Sequence, residues 1–172
     1  MKRASLWLVA LLAGCSFSGE KQTIDEARAD RLVLQREDVD PRFRQTWIRN
    51  LGGFPGSEVL YRRSYSPRVP GPLRIKSKAD VLRSADDADE RLDAARDALG
   101  SGAWQPIAEP GLGDESFAAT VVQGGVRRYD VAWREANATA TLSVTAFEDA
   151  LPLAAVLELA RKQQRRLEAA AR

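Results

Sequence analysis

An α+β fold, with one antiparallel sheet of about five to seven strands packed against two helices, is predicted by three features of the sequence. Apolar side chains recur at every second residue over much of 58–83 and 115–146, but at helical spacing over 84–99 and 151–171. Gly124-Gly125 and the turn around Ala136-Asn137 separate runs of alternating residues, as hairpins require. No period of about 20 to 50 residues repeats, so a solenoid or propeller is not indicated.

Taken in order, residues 15–30 read as a tether, mostly polar, with Ile24 as the one large apolar side chain after Phe17. Arg31–Gln35 carries Leu32, Val33 and Leu34 and predicts a first short strand. Asp40 precedes Pro41 and is biased away from helix, giving a bend that leads to Phe43 and Trp47. Those two aromatics are expected to anchor a loop or short helix on the core. Leu51–Gly56 is a loop by composition. Glu58–Tyr65 predicts a strand, and Pro67, Pro70 and Pro72 end its ladder. Leu73–Arg83 predicts a strand with one buried and one wet, mostly basic face.

Ser84 and Asp87 form a capping box with Asp in place of the usual Glu, and the apolar face Ala85, Ala88, Leu92, Ala95, Leu99 continues from it. Acidic residues crowd its first turns, where the helix dipole favours them, and Gly100 and Gly102 end it. Trp104–Ile107 is a short strand. A meander comes next, with Phe117, Ala119 and Val121, then Tyr129, Val131 and Trp133, then Ala140, Leu142, Val144 and Ala146 expected on one face of each strand. Pro152 offers a start to the second helix, whose Arg161, Lys162, Arg165 and Arg166 are expected on its outer side.

The N-terminus carries a different message. Lys2 and Arg3 precede an apolar run from Ala4 to Ala13 that ends in small residues, the pattern of a secretory leader. The run is about half of the roughly 20 residues a membrane-spanning helix needs. Leu12-Ala13-Gly14-Cys15 resembles the lipobox of bacterial lipoproteins, which implies cleavage before Cys15 and attachment of a diacylglycerol to its thiol. Cys15 is the only cysteine, and acylation removes the oxidation hazard of a lone exported thiol. Residues 1–14 are thus a lipoprotein signal peptide, 15–30 a lipidated tether and 31–172 a single domain. The implied location is the cell membrane, lipid-anchored and facing outside the cytoplasm.

The formal charge of +2 comes from Lys2 and Arg3, which belong to the leader. The remaining chain is neutral, which disfavours a nucleic-acid partner. With no histidine, the commonest general base and metal ligand are missing, and neither an enzyme, a metal nor a cofactor is expected. Glu109, Asp114 and Glu115 are split by Pro110 and two glycines and do not make a calcium loop. Charge is nonetheless polarised: residues 41–83 hold ten basic residues and two acidic, and residues 84–115 hold two basic and nine acidic. Arg62, Arg74, Lys76 and Lys78 are the candidate face for an anionic partner, with anionic lipid headgroups the first choice on a tethered domain. A basic sheet face partly neutralised by a neighbouring acidic helix is the plainer alternative.

The run from Ser84 through the capped helix, then Pro110-Gly111-Leu112-Gly113-Asp114-Glu115-Ser116, Trp133-Arg134, Asn137, a Thr/Val strand and an Arg-rich closing helix is similar to small exported domains of high-GC Gram-positive bacteria. These are the LpqN-type lipoproteins and the extracellular sensor domains of PknH-like kinases, with a PsbP-like sheet. The resemblance implies a ligand-binding, sensing or accessory module at the cell envelope and no catalytic residues. The expected function is therefore a non-enzymatic domain binding a small molecule or a protein. The alternative is an assembly accessory of an envelope complex. An apolar cavity under the C-terminal helix would favour the first, and a flat exposed apolar patch the second.

Overall fold

The computed structural model describes residues 23–172 apart from 50–54, 65–69, 101 and 108. Leu12, Ala13, Gly14 and Cys15 lie outside the described residues, as do most of the loops expected around 51–56 and 66–72. The strands are β1 (Arg44–Arg49), β2 (Gly56–Arg62), β3 (Arg74–Val81), β4 (Gln105–Ile107), β5 (Glu115–Gln123), β6 (Val126–Glu135) and β7 (Ala138–Phe147). The helices are α1 (Ala85–Gly100) and α2 (Leu153–Ala170), with short 3-10 helices at Glu26–Arg31 and Arg36–Asp38. All seven strands form one antiparallel sheet in the order β1-β2-β3-β7-β6-β5-β4, so the expected α+β class holds.

Strand pairing puts directly opposed residues on the same face, which sorts the side chains into two sets. One set contains Tyr61, Ile75, Val144 and Tyr129 in one row, and Val59, Ser77, Leu142 and Val131 in the next. All of these are buried, and α2 covers them with Val156, Ala160 and Leu167. Trp133 and Tyr61 are the largest fully buried side chains. Burying each such aromatic is worth roughly 2–3 kcal/mol relative to exposure, so this layer is the core.

The other set contains Lys76, Ser143 and Asp130 in one row, and Lys78, Thr141 and Ala132 in the next. On this side α1 lies against β6 and β7. The Asp87 N–H donates to Ser84 Oγ at 3.0 Å, as the capping box predicts. Of the expected apolar stripe, only Ala88 and Leu92 are buried. Ala95 and Leu99 are half-buried and Ala85 is exposed.

The N-terminal third departs from expectation in three ways. Arg31–Gln35 is not a strand. Its Leu32, Val33 and Leu34 are all buried, a burial on every side that a half-exposed strand cannot supply. The segment instead closes the α2 side of the sheet: Leu34 N–H donates to Ser77 Oγ at 2.9 Å and Tyr61 Oη donates to the Leu34 carbonyl at 2.9 Å. Phe43 does anchor the bend before β1 on the core, but the chain then continues as the edge strand Arg44–Arg49 in place of a loop or short helix around Trp47. The folded part also begins before residue 31. Ile24 is buried, and its N–H and carbonyl both bond the Asn137 side chain, at 2.7 Å and 3.2 Å.

On α2, Lys162 and Arg166 are not free outer-face residues. Lys162 Nζ donates to the Asp38 carbonyl at 2.7 Å, and Arg166 Nη2 bonds Asp38 Oδ2 at 2.8 Å and Glu37 Oε1 at 2.9 Å. They fasten the N-terminal segment to the helix.

Candidate functional site

A groove runs beneath α1, roofed by small apolar side chains and floored by a polar stretch of sheet. Its two adjoining hollows measure about 250 Å³ and 230 Å³ and share Lys78, Ala95, Ala98, Ala132 and Thr141. The groove exists because α1 presents alanines over β3, β7 and β6, where larger side chains would close the gap. Beneath them Thr139, Thr141 and Ser143 alternate along β7 with the core residues Ala140 and Leu142.

Two buried carboxylates set the electrostatics. Asp80, 4% exposed, takes Lys78 Nζ at 2.5 Å and Arg91 Nη2 at 3.6 Å on Oδ2, while its Oδ1 is buried with no hydrogen-bond partner. Asp130 takes Arg128 at 2.7 Å and 3.1 Å. The Arg128 guanidinium also lies over the Trp104 ring, 5.1 Å from its centroid. A buried acceptor left unpaired costs about 1–3 kcal/mol, so an N–H or O–H donor reaching Asp80 Oδ1 would relieve that cost. Sequence reasoning missed both carboxylates as site residues. Their only trace was an acidic residue at an otherwise basic or apolar strand position.

The four residues of the candidate anionic-partner face divide into two pairs. Lys76 is neutralised by Glu58 at 2.8 Å and Lys78 by Asp80. Arg62 and Arg74 are exposed, directly opposed across β2 and β3, and in register with Arg44 on β1. Among the described residues the side chains of Arg44, Arg62 and Arg74 make no hydrogen bond or salt bridge. The row continues through Thr145 to Arg128.

The Gly-Leu-Gly-Asp loop is structural. A Cβ on Gly113 would lie 2.0 Å from the Arg134 carbonyl oxygen, and φ there is +57°, so only glycine fits. Asp114 Oδ2 accepts from Ala136 N–H at 2.9 Å and Arg134 Nη1 at 3.0 Å, fixing the turn between β6 and β7. Glu115 pairs with Arg96 of α1. Among the described residues no cluster of three potential metal ligands occurs.

A shallower hollow of about 370 Å³ lies at the far end of α2, lined by Glu135, Gln164, Glu168, Gly111 and Gly113. Gln164 Nε2 bridges Glu135 at 2.8 Å and Glu168 at 3.1 Å there. Buried Gln163 accepts from Ser77 Oγ at 2.8 Å and donates to the Lys78 carbonyl at 2.9 Å, which ties α2 to the strand that floors the groove. Tyr61, buried beside Asp38 and Glu37, has its phenol pushed up to about 12, chiefly by desolvation.

No protein-family model and no curated protein matches the chain. Among solved structures it is similar to the extracellular domain of PknH from Mycobacterium tuberculosis, with a TM-score of 0.60 at 9% identity, covering 84% of this chain and 99% of that one. The two share a fold. A GTP binding regulator from Thermotoga maritima aligns with a TM-score of 0.40 at 12% identity, over 86% of this chain and 90% of that one, too distant to support an argument.

Proposed function

We propose that the chain is an exported lipoprotein, held at the membrane through Cys15, whose domain binds a small polar ligand without transforming it. The observation that carries the binding function is the groove beneath α1, with the unpartnered Oδ1 of buried Asp80 on its floor. A ligand N–H or O–H would occupy that acceptor, and Thr139, Thr141 and Lys78 line the same hollow to fix orientation. Each hollow alone is smaller than most small-molecule sites, and the two joined reach the lower end of that range, which points to a small ligand. The fold shared with the extracellular domain of PknH is compatible with a sensing or presenting role outside the cytoplasm.

Export and anchoring rest on the sequence of the leader. No helix among the described residues is long and apolar enough to cross a membrane. Two or more acyl chains on Cys15 would anchor the chain stably where one would not. Metabolic labelling with palmitate should mark the wild-type chain and leave Cys15→Ala unlabelled, with the variant lost from the membrane fraction. Label retained by Cys15→Ala would overturn the anchor. For the groove, native mass spectrometry of protein purified from its own envelope should show an added small mass that Asp80→Asn loses.

A further inference from the structure

The face of the sheet that carries α1 is both stepped and bipolar. α1 stands over β6 and β7 and reaches the Asp80 end of β3 through Arg91, while β1, β2 and the Arg74 end of β3 carry no helix on that side among the described residues. The uncovered step holds the row Arg44, Arg62, Arg74, exposed and without side-chain partners among the described residues. Like charges opposed across strands destabilise a sheet, so such a row invites a counter-charge from outside the chain.

The ridge beside it holds that counter-charge. Asp86, Glu90, Asp93 and Asp97 are spaced by four, three and four residues, which places them along one line of the helix. That line lies opposite the buried Ala88 and Leu92, so the carboxylates point away from the sheet and all four are exposed. The side chains of Asp86, Glu90 and Asp97 make no hydrogen bond or salt bridge among the described residues. The C-terminal half of α1 lies over Arg128 and Ser143, at the end of the sheet where the arginine row crosses.

We infer that this face is the interface of a two-fold symmetric dimer, its occupant a second copy of the same chain. The acidic line runs along the strands and the arginine row across them, so a two-fold axis lying in that face, diagonal to the strands, lays each acidic ridge onto the other copy's arginine row. It brings Glu90 and Asp97 of one copy to Arg62 and Arg74 of the other, and repeats that contact by symmetry. An anionic membrane fits the same face badly, because the acidic ridge would meet it before the arginines do. The neutral chain beyond the leader opposes association with no net repulsion. This inference is independent of lipid anchoring and of the groove's ligand.

Sedimentation velocity of the full chain in density-matched detergent tests it. Wild type should form a concentration-dependent dimer whose dissociation constant rises at least about tenfold between 0.1 M and 1 M salt. Arg62→Glu/Arg74→Glu and Glu90→Lys/Asp97→Lys each place like charges face to face and should sediment as monomers. Mixed in equal amounts they should form a heterodimer, because both contacts are then attractive again; circular dichroism confirms that each variant is folded. A wild type that stays monomeric at 0.1 M salt overturns the inference. So does a dimer that survives in either variant, or in both. Binding of a monomeric wild type to anionic vesicles, lost in Arg62→Glu/Arg74→Glu, would overturn it in favour of a membrane partner.

Discussion

The two faces of the sheet are made from the same strands and do opposite things. Against α2, alternate residues of β3, β6 and β7 bury Ile75, Val131, Trp133, Leu142 and Val144. The N-terminal segment, itself pinned by Asn137, seals the same side. Against α1, the intervening residues are Lys76, Lys78, Asp80, Asp130, Thr141 and Ser143, and the helix above them offers mostly alanine. One face commits its side chains to dense packing, and the other leaves room and unsatisfied charge. Stability should therefore respond to changes on the first face, and binding to changes on the second.

The sharpest way to break that division is at its apolar centre. Trp133→Ala removes a fully buried side chain and should lower unfolding free energy by about 3–5 kcal/mol in a urea titration. A loss under about 1 kcal/mol would mean that the α2 face is not the core. Next in size is the seal. Asn137 bonds Ile24 twice and also donates to the Leu82 carbonyl at 2.7 Å. Asn137→Ala should cost about 2–3 kcal/mol and raise hydrogen exchange at Ile24. An unchanged midpoint would detach residues 23–30 from the fold.

Tyr61 makes the same point through pH. Its folded pKa of about 12 lies above the ordinary value of 10, so the folded state holds the proton more tightly than the unfolded state. Its contribution is complete below pH 10 and is lost as pH rises toward 12, to about 2 kcal/mol. Tyr61→Phe should flatten that alkaline decline, and an equally steep decline in the variant would assign it elsewhere. The smallest effect on stability belongs to the other face. Asp80→Asn removes the carboxylate that Lys78 and Arg91 share and should cost about 1–2 kcal/mol, partly relieved because both cations reach solvent, while weakening ligand binding at least about tenfold.

Legibility in the sequence differed between the two faces. Period-2 alternation in β3, β6 and β7 and the Ser84 cap disclosed the central strands and α1, because burial on one side writes itself directly into residue order. The N-terminal segment did not disclose itself. Ile24 is a lone apolar residue among polar ones, and its burial depends on Asn137, 113 residues away. Leu32-Val33-Leu34 mimics a strand because burial on all sides and burial in a sheet look alike over three residues. Strand β1 was hidden by having little alternation to show. Charge alone singled out Arg62 and Arg74, which the structure leaves exposed and without side-chain partners among the described residues. Lys76 and Lys78 were grouped with them because cross-strand partners such as Glu58 cannot be seen without the register. The orphaned oxygen of Asp80 is a property of packing and had no signature in the sequence.

The central proposal is that the α1 face binds and the α2 face only packs. A crystal structure of the protein isolated from its native envelope tests it most directly. Bound density should lie under α1, with a donor on Asp80 Oδ1 and contacts to Thr141 and Lys78. An empty groove with a ligand seated at the α2 side of the sheet, or in the hollow between Glu135 and Glu168, would contradict it.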